Sequence, residues 1–245
     1  MNAIGRCADR ATRGDEMPDH ASIYDHDAAQ YDRLVSREDV DGALARTIAD
    51  LIPQCVETVV ELGAGTGRVT RLLAPRAARV LAFDAAAPML AVARARLDAA
   101  GLGARVSLAV GEHHALPAPD GVADAVFAGW AIAHAVGWYP EGWRGRVDAA
   151  LAEIARVSRP GARAVIIETL GTGTETPSPP AKLVPFYAHL EARGFARRVI
   201  RTDYRFADAA ELAELIGFFF GPELATRYAG GRDVPECTGV WVREG

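Results

Sequence analysis

Apolar and polar positions alternate with two different periods along this chain, and the switches between them mark its elements. From Ser22 to Leu51 the apolar residues fall three and four apart, at Tyr24, Ala28, Tyr31, Leu34 and Val35 and then at Val40, Leu44, Ile48 and Leu51. That spacing predicts two helices ahead of the sheet, the second ended by Pro53, whose ring and missing amide cannot continue a helix interior. Short apolar, β-branched runs predict buried parallel strands at Thr58 to Leu62, Arg79 to Asp84, Arg105 to Val110, Asp124 to Ala128 and Ala164 to Leu170. Helical spacing returns between them at Arg68 to Ala74, Pro88 to Ala100 and Arg144 to Val157, while residues 131 to 143 read as irregular and aromatic-rich. Beyond these lie a breaker-rich segment from Gly171 to Pro180, a helix from Ala181 to Arg193 and a strand from Arg197 to Phe206. A helix from Ala207 to Phe220 and a last strand from Thr238 to Val242 complete the pattern. Strands alternating with helices predict an α/β fold with a doubly wound parallel sheet, and the last two strands suit a closing antiparallel edge.

Composition narrows the class of protein. The chain has 245 residues, 50% hydrophobic and 24% charged, which suits one well-buried domain over residues 19–245. Residues 1–18 read as a mobile tail, and either Met1 or Met17 can serve as the start. A net charge of −5 provides no global basic field for a phosphate backbone, so no nucleic-acid partner is expected. The one basic cluster, Arg193, Arg197, Arg198, Arg201 and Arg205, reads as solvated helix and strand faces. Three widely spaced cysteines, Cys7, Cys55 and Cys237, form neither a disulfide framework nor a metal spacing, which fits a cytoplasmic location. No apolar run reaches membrane-spanning length, and no membrane partner is expected.

The chemistry concentrates at strand ends. Val59 to Leu62 runs into Gly63-Ala64-Gly65-Thr66-Gly67, a glycine turn between a strand and a helix, where backbone can approach a nucleotide ligand. The second strand ends at Asp84, 21 positions after Gly63, a spacing that suits a carboxylate accepting from ribose hydroxyls; Asp84 also suits the cap of the following helix. The third strand closes in Gly111-Glu112-His113-His114. In an extended segment the two histidines point to opposite faces, so no metal site is expected there. Glu61, Asp84 and Glu112 place negative charge and acceptors at three successive strand ends, which suits a cationic ligand with a ribose diol better than a pyrophosphate. Arg68 stands where a dinucleotide fingerprint has its third glycine or alanine, which argues against an NAD-dependent oxidoreductase, one of two alternatives.

In the order and spacing of these motifs, with Arg159-Pro160-Gly161 after the helix that follows the fourth strand, residues 22 to 170 resemble the class I S-adenosylmethionine-dependent methyltransferases. The likeness is greatest to the branch acting on small molecules. It implies a Rossmann-like seven-stranded sheet with helices on both faces and an antiparallel last strand. It also implies N-terminal lid helices over 19–53, a cofactor-binding core over 54–170 and a substrate-side, sheet-closing region over 171–245.

By the same resemblance the cofactor is S-adenosyl-L-methionine, leaving as S-adenosyl-L-homocysteine, and the partner is a small-molecule acceptor for a monomer or homodimer. Glu61 would hold the methionine amino group, Gly63 and Gly65 would admit methionine and ribose to the backbone, and Asp84 would take the ribose hydroxyls. Met89 would pack near adenine, Glu112 would meet its amino group, and Trp130 would lie beside the methionine portion. His113 departs from the small or apolar residue usual at its place. Ala64, Thr66, Gly67, Ala85, Gly111 and Gly129 complete the implied cofactor contacts, with Tyr24 and Tyr31 as lid residues.

Methyl transfer from a sulfonium is an in-line displacement, so proximity and alignment dominate. His134, just after the fourth strand, is the candidate general base, with a packing role as its alternative. The sequence Gly129-Trp130-Ala131-Ile132 lacks the Asn/Asp-Pro-Pro-Tyr/Phe motif of adenine and amide methylation. Trp138, Tyr139, Trp143, Phe186 and Tyr187 are candidates for the acceptor pocket, and Gly171 to Pro180 is a candidate lid or substrate loop. A methyltransferase fold that binds the cofactor without transferring methyl is a second alternative.

Overall fold

The computed structural model describes residues 20–245, so the expected tail at 1–18 lies outside the described residues. In chain order the strands are β1 (Val56–Leu62), β2 (Ala77–Asp84), β3 (Val106–Val110), β4 (Ala123–Gly129), β5 (Ser158–Thr172), β6 (Ala196–Arg201), β7 (Tyr204–Arg205), β8 (Asp233–Val234) and β9 (Glu236–Glu244). Seven of them form one sheet in the order β3-β2-β1-β4-β5-β9-β6. β1, β2, β3, β4 and β5 are parallel, whereas β9 runs antiparallel to both β5 and β6. This is the seven-stranded, Rossmann-like sheet with an antiparallel last strand that the resemblance implies.

The helices are α1 (His20–His26), α2 (Ala28–Val35), α3 (Ala43–Leu51), α4 (Thr70–Leu73), α5 (Ala87–Ala99), α6 (His134–Trp138), α7 (Trp143–Val157), α8 (Val184–Ala192), α9 (Ala209–Phe220) and α10 (Pro222–Arg227). Burial on both faces explains the strands' near-continuous apolar runs, and the pleat sorts their side chains. Val60, Val126 and Ile166 join one core with Val147, Ile154 and Leu190 of α7 and α8. Their neighbours Val59, Phe127 and Val165 join another with Leu44 and Ile48 of α3 and Leu90 and Leu97 of α5. A third cluster packs Leu34 of α2 against Phe206, Leu212, Leu215, Ile216 and Val234 of the C-terminal excursion.

Several boundaries differ from the sequence reading, for local reasons. The N-terminal region holds three helices rather than two. A break at Asp27 divides the first run, and Asp39 and Gly42, both at positive φ, turn the chain before α3. The Asp39 carboxylate accepts from the Leu44 amide at 2.9 Å and so fastens the start of α3. α4 is a single turn, continued as a 3-10 turn over 74–76 that contains Pro75. The aromatic stretch after β4 contains α6, the strand expected over 197–206 divides into β6 and β7, and α10 follows Gly221. β7 pairs with β8 as a separate antiparallel ribbon beside the third cluster.

Candidate functional site

The parallel topology brings the carboxyl ends of β1, β2, β3 and β4 to one edge of the sheet, and a cavity opens there beneath α1 and α2. Its wall includes Glu61, Gly63, Ala64, Gly65 and Thr66 from β1 and its loop, and Asp84, Ala85 and Met89 from β2 and α5. Glu112 and His113 come from just after β3, Gly129 from the end of β4, Trp130 and His134 from beyond it, and Tyr24 and Tyr31 from the covering helices. Residues distant in sequence thus converge because strand ends and helix starts alternate at that edge.

The glycine loop is built for close approach. Gly63 sits at φ 66°, and a Cβ there would stand 2.4 Å from the Ala131 Cβ and 3.3 Å from His113 Nε2. Asp84 braces the same loop: one carboxylate oxygen accepts from the Gly65 amide and the other from Ala86, each at 2.8 Å. The carboxylate therefore holds the loop and still presents lone pairs to the cavity. Burial raises its pKa, the two amides opposing.

Glu61 is 1% exposed, and its Oε2 has no hydrogen-bond partner. Burial pushes its pKa up to about 8, with the Asp84 carboxylate adding to the rise and Thr70 opposing it. A buried carboxylate oxygen without a partner, facing a cavity, is the acceptor that an ammonium would satisfy. The residues present therefore fit S-adenosylmethionine, whose amino group, sulfonium and ribose diol match the carboxylates at the ends of β1, β2 and β3.

His134 stands at the start of α6. Its Nε2 lies 3.1 Å from the Tyr24 hydroxyl, and its ring stacks on Trp138 at 4.9 Å with a 13° interplanar angle. Burial lowers its pKa to about 4, partly offset by a hydrogen bond to the Trp130 backbone. Trp130 itself adopts φ 50°, rare for a bulky residue, and the Arg68 guanidinium lies 3.5 Å above its ring centroid. Arg68 is ion-paired with Glu38, which also accepts from Thr202 at 2.9 Å and Tyr204 at 2.8 Å.

Five expected site residues fall outside the cavity wall. Gly67 packs on Ala93, 3.3 Å from where its Cβ would be, and Gly111 packs on Pro117 at 2.8 Å. Trp143 and Phe186 meet edge to face in the core between α7 and α8. Tyr187 is 3% exposed and donates to the Thr169 carbonyl at 2.5 Å. These aromatics serve the core, which is their commoner role at helical spacing. The segment Gly171 to Pro180 is not a lid over this cavity. It folds against the C-terminal region, where Gly173 donates to the Pro235 carbonyl at 2.7 Å and its own carbonyl accepts from the Tyr228 hydroxyl at 3.0 Å.

The adjacent histidines are a further correction. Glu112 and Ala115 form a bridge with a turn between them, so His113 and His114 both line the cavity. No group of three or more metal-ligating side chains occurs among the described residues. No described helix is long and apolar enough to cross a membrane. Sequence reasoning missed Arg68, Arg146 and Asp25 as wall residues. For Arg68 the signal was present, since it occupies the third fingerprint position, where it argued only against a dinucleotide.

Residues 60–166 match the family described as a methyltransferase domain. A ubiquinone/menaquinone biosynthesis C-methyltransferase of Rubrivivax gelatinosus is 35% identical over 116 residues, covering 47% of this chain and 41% of that protein. A malonyl-[acyl-carrier protein] O-methyltransferase of Methylococcus capsulatus is 33% identical over 177 residues, covering 70% of this chain and 59% of that protein. The match thus spans less than two thirds of either relative's length. Among solved structures, a SAM-dependent methyltransferase from Aquifex aeolicus superposes with a TM-score of 0.55 at 18% identity, covering 86% of this chain and 97% of that one. In fold and in the sequence of its cofactor core, the chain resembles the class I S-adenosylmethionine-dependent methyltransferases of small-molecule type.

Proposed function

We propose that this protein transfers a methyl group from S-adenosylmethionine to a small-molecule acceptor by in-line displacement. The observation that carries the reading is the buried, unpartnered Glu61 carboxylate oxygen facing the same cavity as Asp84 and the glycine loop. When bound, the cofactor supplies a methyl group on a positively charged sulfur. Glu61 would hold the ammonium, Asp84 would take the ribose hydroxyls, Met89 would pack near the adenine and Glu112 would meet its amino group. Trp130, fixed beneath Arg68, covers the methionine side of the cavity.

His134 is the proton acceptor in this reading. At neutral pH its ring is neutral and presents a lone pair to the cavity, while burial, which lowers its pKa to about 4, makes it a weaker base than an exposed histidine. Tyr24 and Tyr31 line the cavity from α1 and α2.

Thermal melting with S-adenosylmethionine, S-adenosylhomocysteine and NAD tests the cofactor class. Both sulfur ligands should raise the midpoint and NAD should leave it unchanged. A shift with NAD alone would overturn the proposal.

A further inference from the structure

The acceptor end of the cavity holds a feature that the cofactor chemistry does not use. The Tyr24 hydroxyl points at His134 Nε2 from 3.1 Å, with the two rings 5.4 Å apart at 73°. A neutral imidazole has one N–H, and in the tautomer that carries it on Nδ1 the Nε2 lone pair takes the Tyr24 proton as acceptor. In that tautomer a phenol donates to a basic lone pair at the acceptor end of the cavity.

We propose that the methyl acceptor is a phenol-type hydroxyl on a flat aromatic molecule, and that the Tyr24 hydroxyl holds its place against His134 until it binds. The inference deepens the methyltransferase reading and rests on it. Three observations favour a phenol. The surroundings of the Tyr24 ring are aromatic, with Tyr31 edge-on at 5.3 Å and Trp138 stacked behind His134. Of the two arginines in the wall, Arg68 is paired with Glu38 and Arg146 lies over the Tyr139 ring at 4.5 Å. Nε2 needs a partner that can give up a proton: a carboxylate has none, and an ammonium has no lone pair for the methyl carbon.

The occupant is also exchangeable by construction. Tyr24 lies on α1, a seven-residue helix separated from α2 by the break at Asp27.

The step balances as follows. The acceptor O–H bond breaks and its proton passes to His134 Nε2, giving an imidazolium. The acceptor oxygen uses a lone pair to form the O–CH3 bond. The carbon–sulfur bond breaks with its electron pair remaining on sulfur, so the positive charge moves from sulfur to the imidazole, which then releases its proton to solvent.

The test uses the whole chain saturated with S-adenosylhomocysteine and titrated with phenol and with methoxybenzene, binding being read by ligand-observed NMR. Tyr24→Phe removes the competing hydroxyl and should tighten phenol about three- to tenfold, the worth of one hydrogen bond. His134→Gln should weaken phenol by about threefold or more and leave methoxybenzene, which has no proton to give, unaffected. S-adenosylhomocysteine binding by each variant reports that it is folded. Phenol affinity unchanged or lowered in Tyr24→Phe, or equal losses for phenol and methoxybenzene in His134→Gln, would overturn the proposal and leave the methyltransferase reading standing. A wild-type protein that takes no S-adenosylhomocysteine would overturn both.

Discussion

Glu61 shows how one buried carboxyl links stability to binding. Its pKa rises from 4.5 to about 8 in the folded chain, mainly through burial. Between those values the unfolded chain has lost the proton and the folded chain retains it, so stability falls as pH rises across that window. Glu168 and Glu236, also buried and also raised to about 8, act in the same direction. The melting midpoint of the free protein should therefore decline between about pH 5 and pH 8, and a midpoint that climbs over this range would contradict the burial argument. Ligand binding runs the other way: an ammonium favours ionised Glu61, so affinity for S-adenosylhomocysteine should increase up to about pH 8. Glu61→Gln should flatten that dependence, as a calorimetric pH series would show. Asp84 carries a double load, holding the Gly65 and Ala86 amides while facing the ligand. Asp84→Ala should lower affinity by roughly tenfold or more and cost about 1–3 kcal/mol of stability, measured by titration and denaturant melts.

At the scale of elements, the strand–glycine loop–helix unit was legible because each part has its own physical signature. The apolar run requires burial, the glycines permit positive φ, and the carboxylates fall where strands end. The two loop glycines are nevertheless unequal. A Cβ on Gly63 meets Ala131 at 2.4 Å, whereas on Gly65 the nearest atom is the flexible end of Met89 at 3.6 Å. Gly63→Ala should therefore cost on the order of 2 kcal/mol more than Gly65→Ala, and comparing the two in denaturant melts checks the ranking. The aromatic positions were poorly legible. Trp138 and Trp143 sit five positions apart in similar company, yet one is 46% exposed at the cavity and the other 7% exposed in the core. Only the packing of α7 against α8 separates them, and spacing along one chain carries no information about that partner. The same reason hid the break at Asp27 and the turn that brings His113 and His114 to one side.

Across the whole molecule, the C-terminal excursion is tied to the cofactor end through Glu38. This carboxylate joins Arg68 of the loop region to Thr202 and Tyr204, while Arg33 of α2 pairs with Glu214 of α9 and Arg37, just beyond α2, pairs with Glu211. Neither link to the excursion was readable from sequence, because more than 160 positions separate Glu38, Arg37 and Arg33 from their partners there. Glu38 does not line the cavity, yet Glu38→Ala leaves Arg68 buried beside Trp130 without its counter-charge. The variant should lose on the order of 3 kcal/mol of stability together with cofactor affinity, while Tyr204→Phe, which keeps the ion pair, should lose about 1 kcal/mol. The fold, the loop and the three strand-end carboxylates converge on one claim, that this cavity takes S-adenosylmethionine. Calorimetric titration of the intact chain with S-adenosylhomocysteine at pH 8 tests it most directly. One-to-one binding that Asp84→Ala and Glu61→Gln each weaken is the predicted result, and no heat of binding, or binding indifferent to both substitutions, would contradict it.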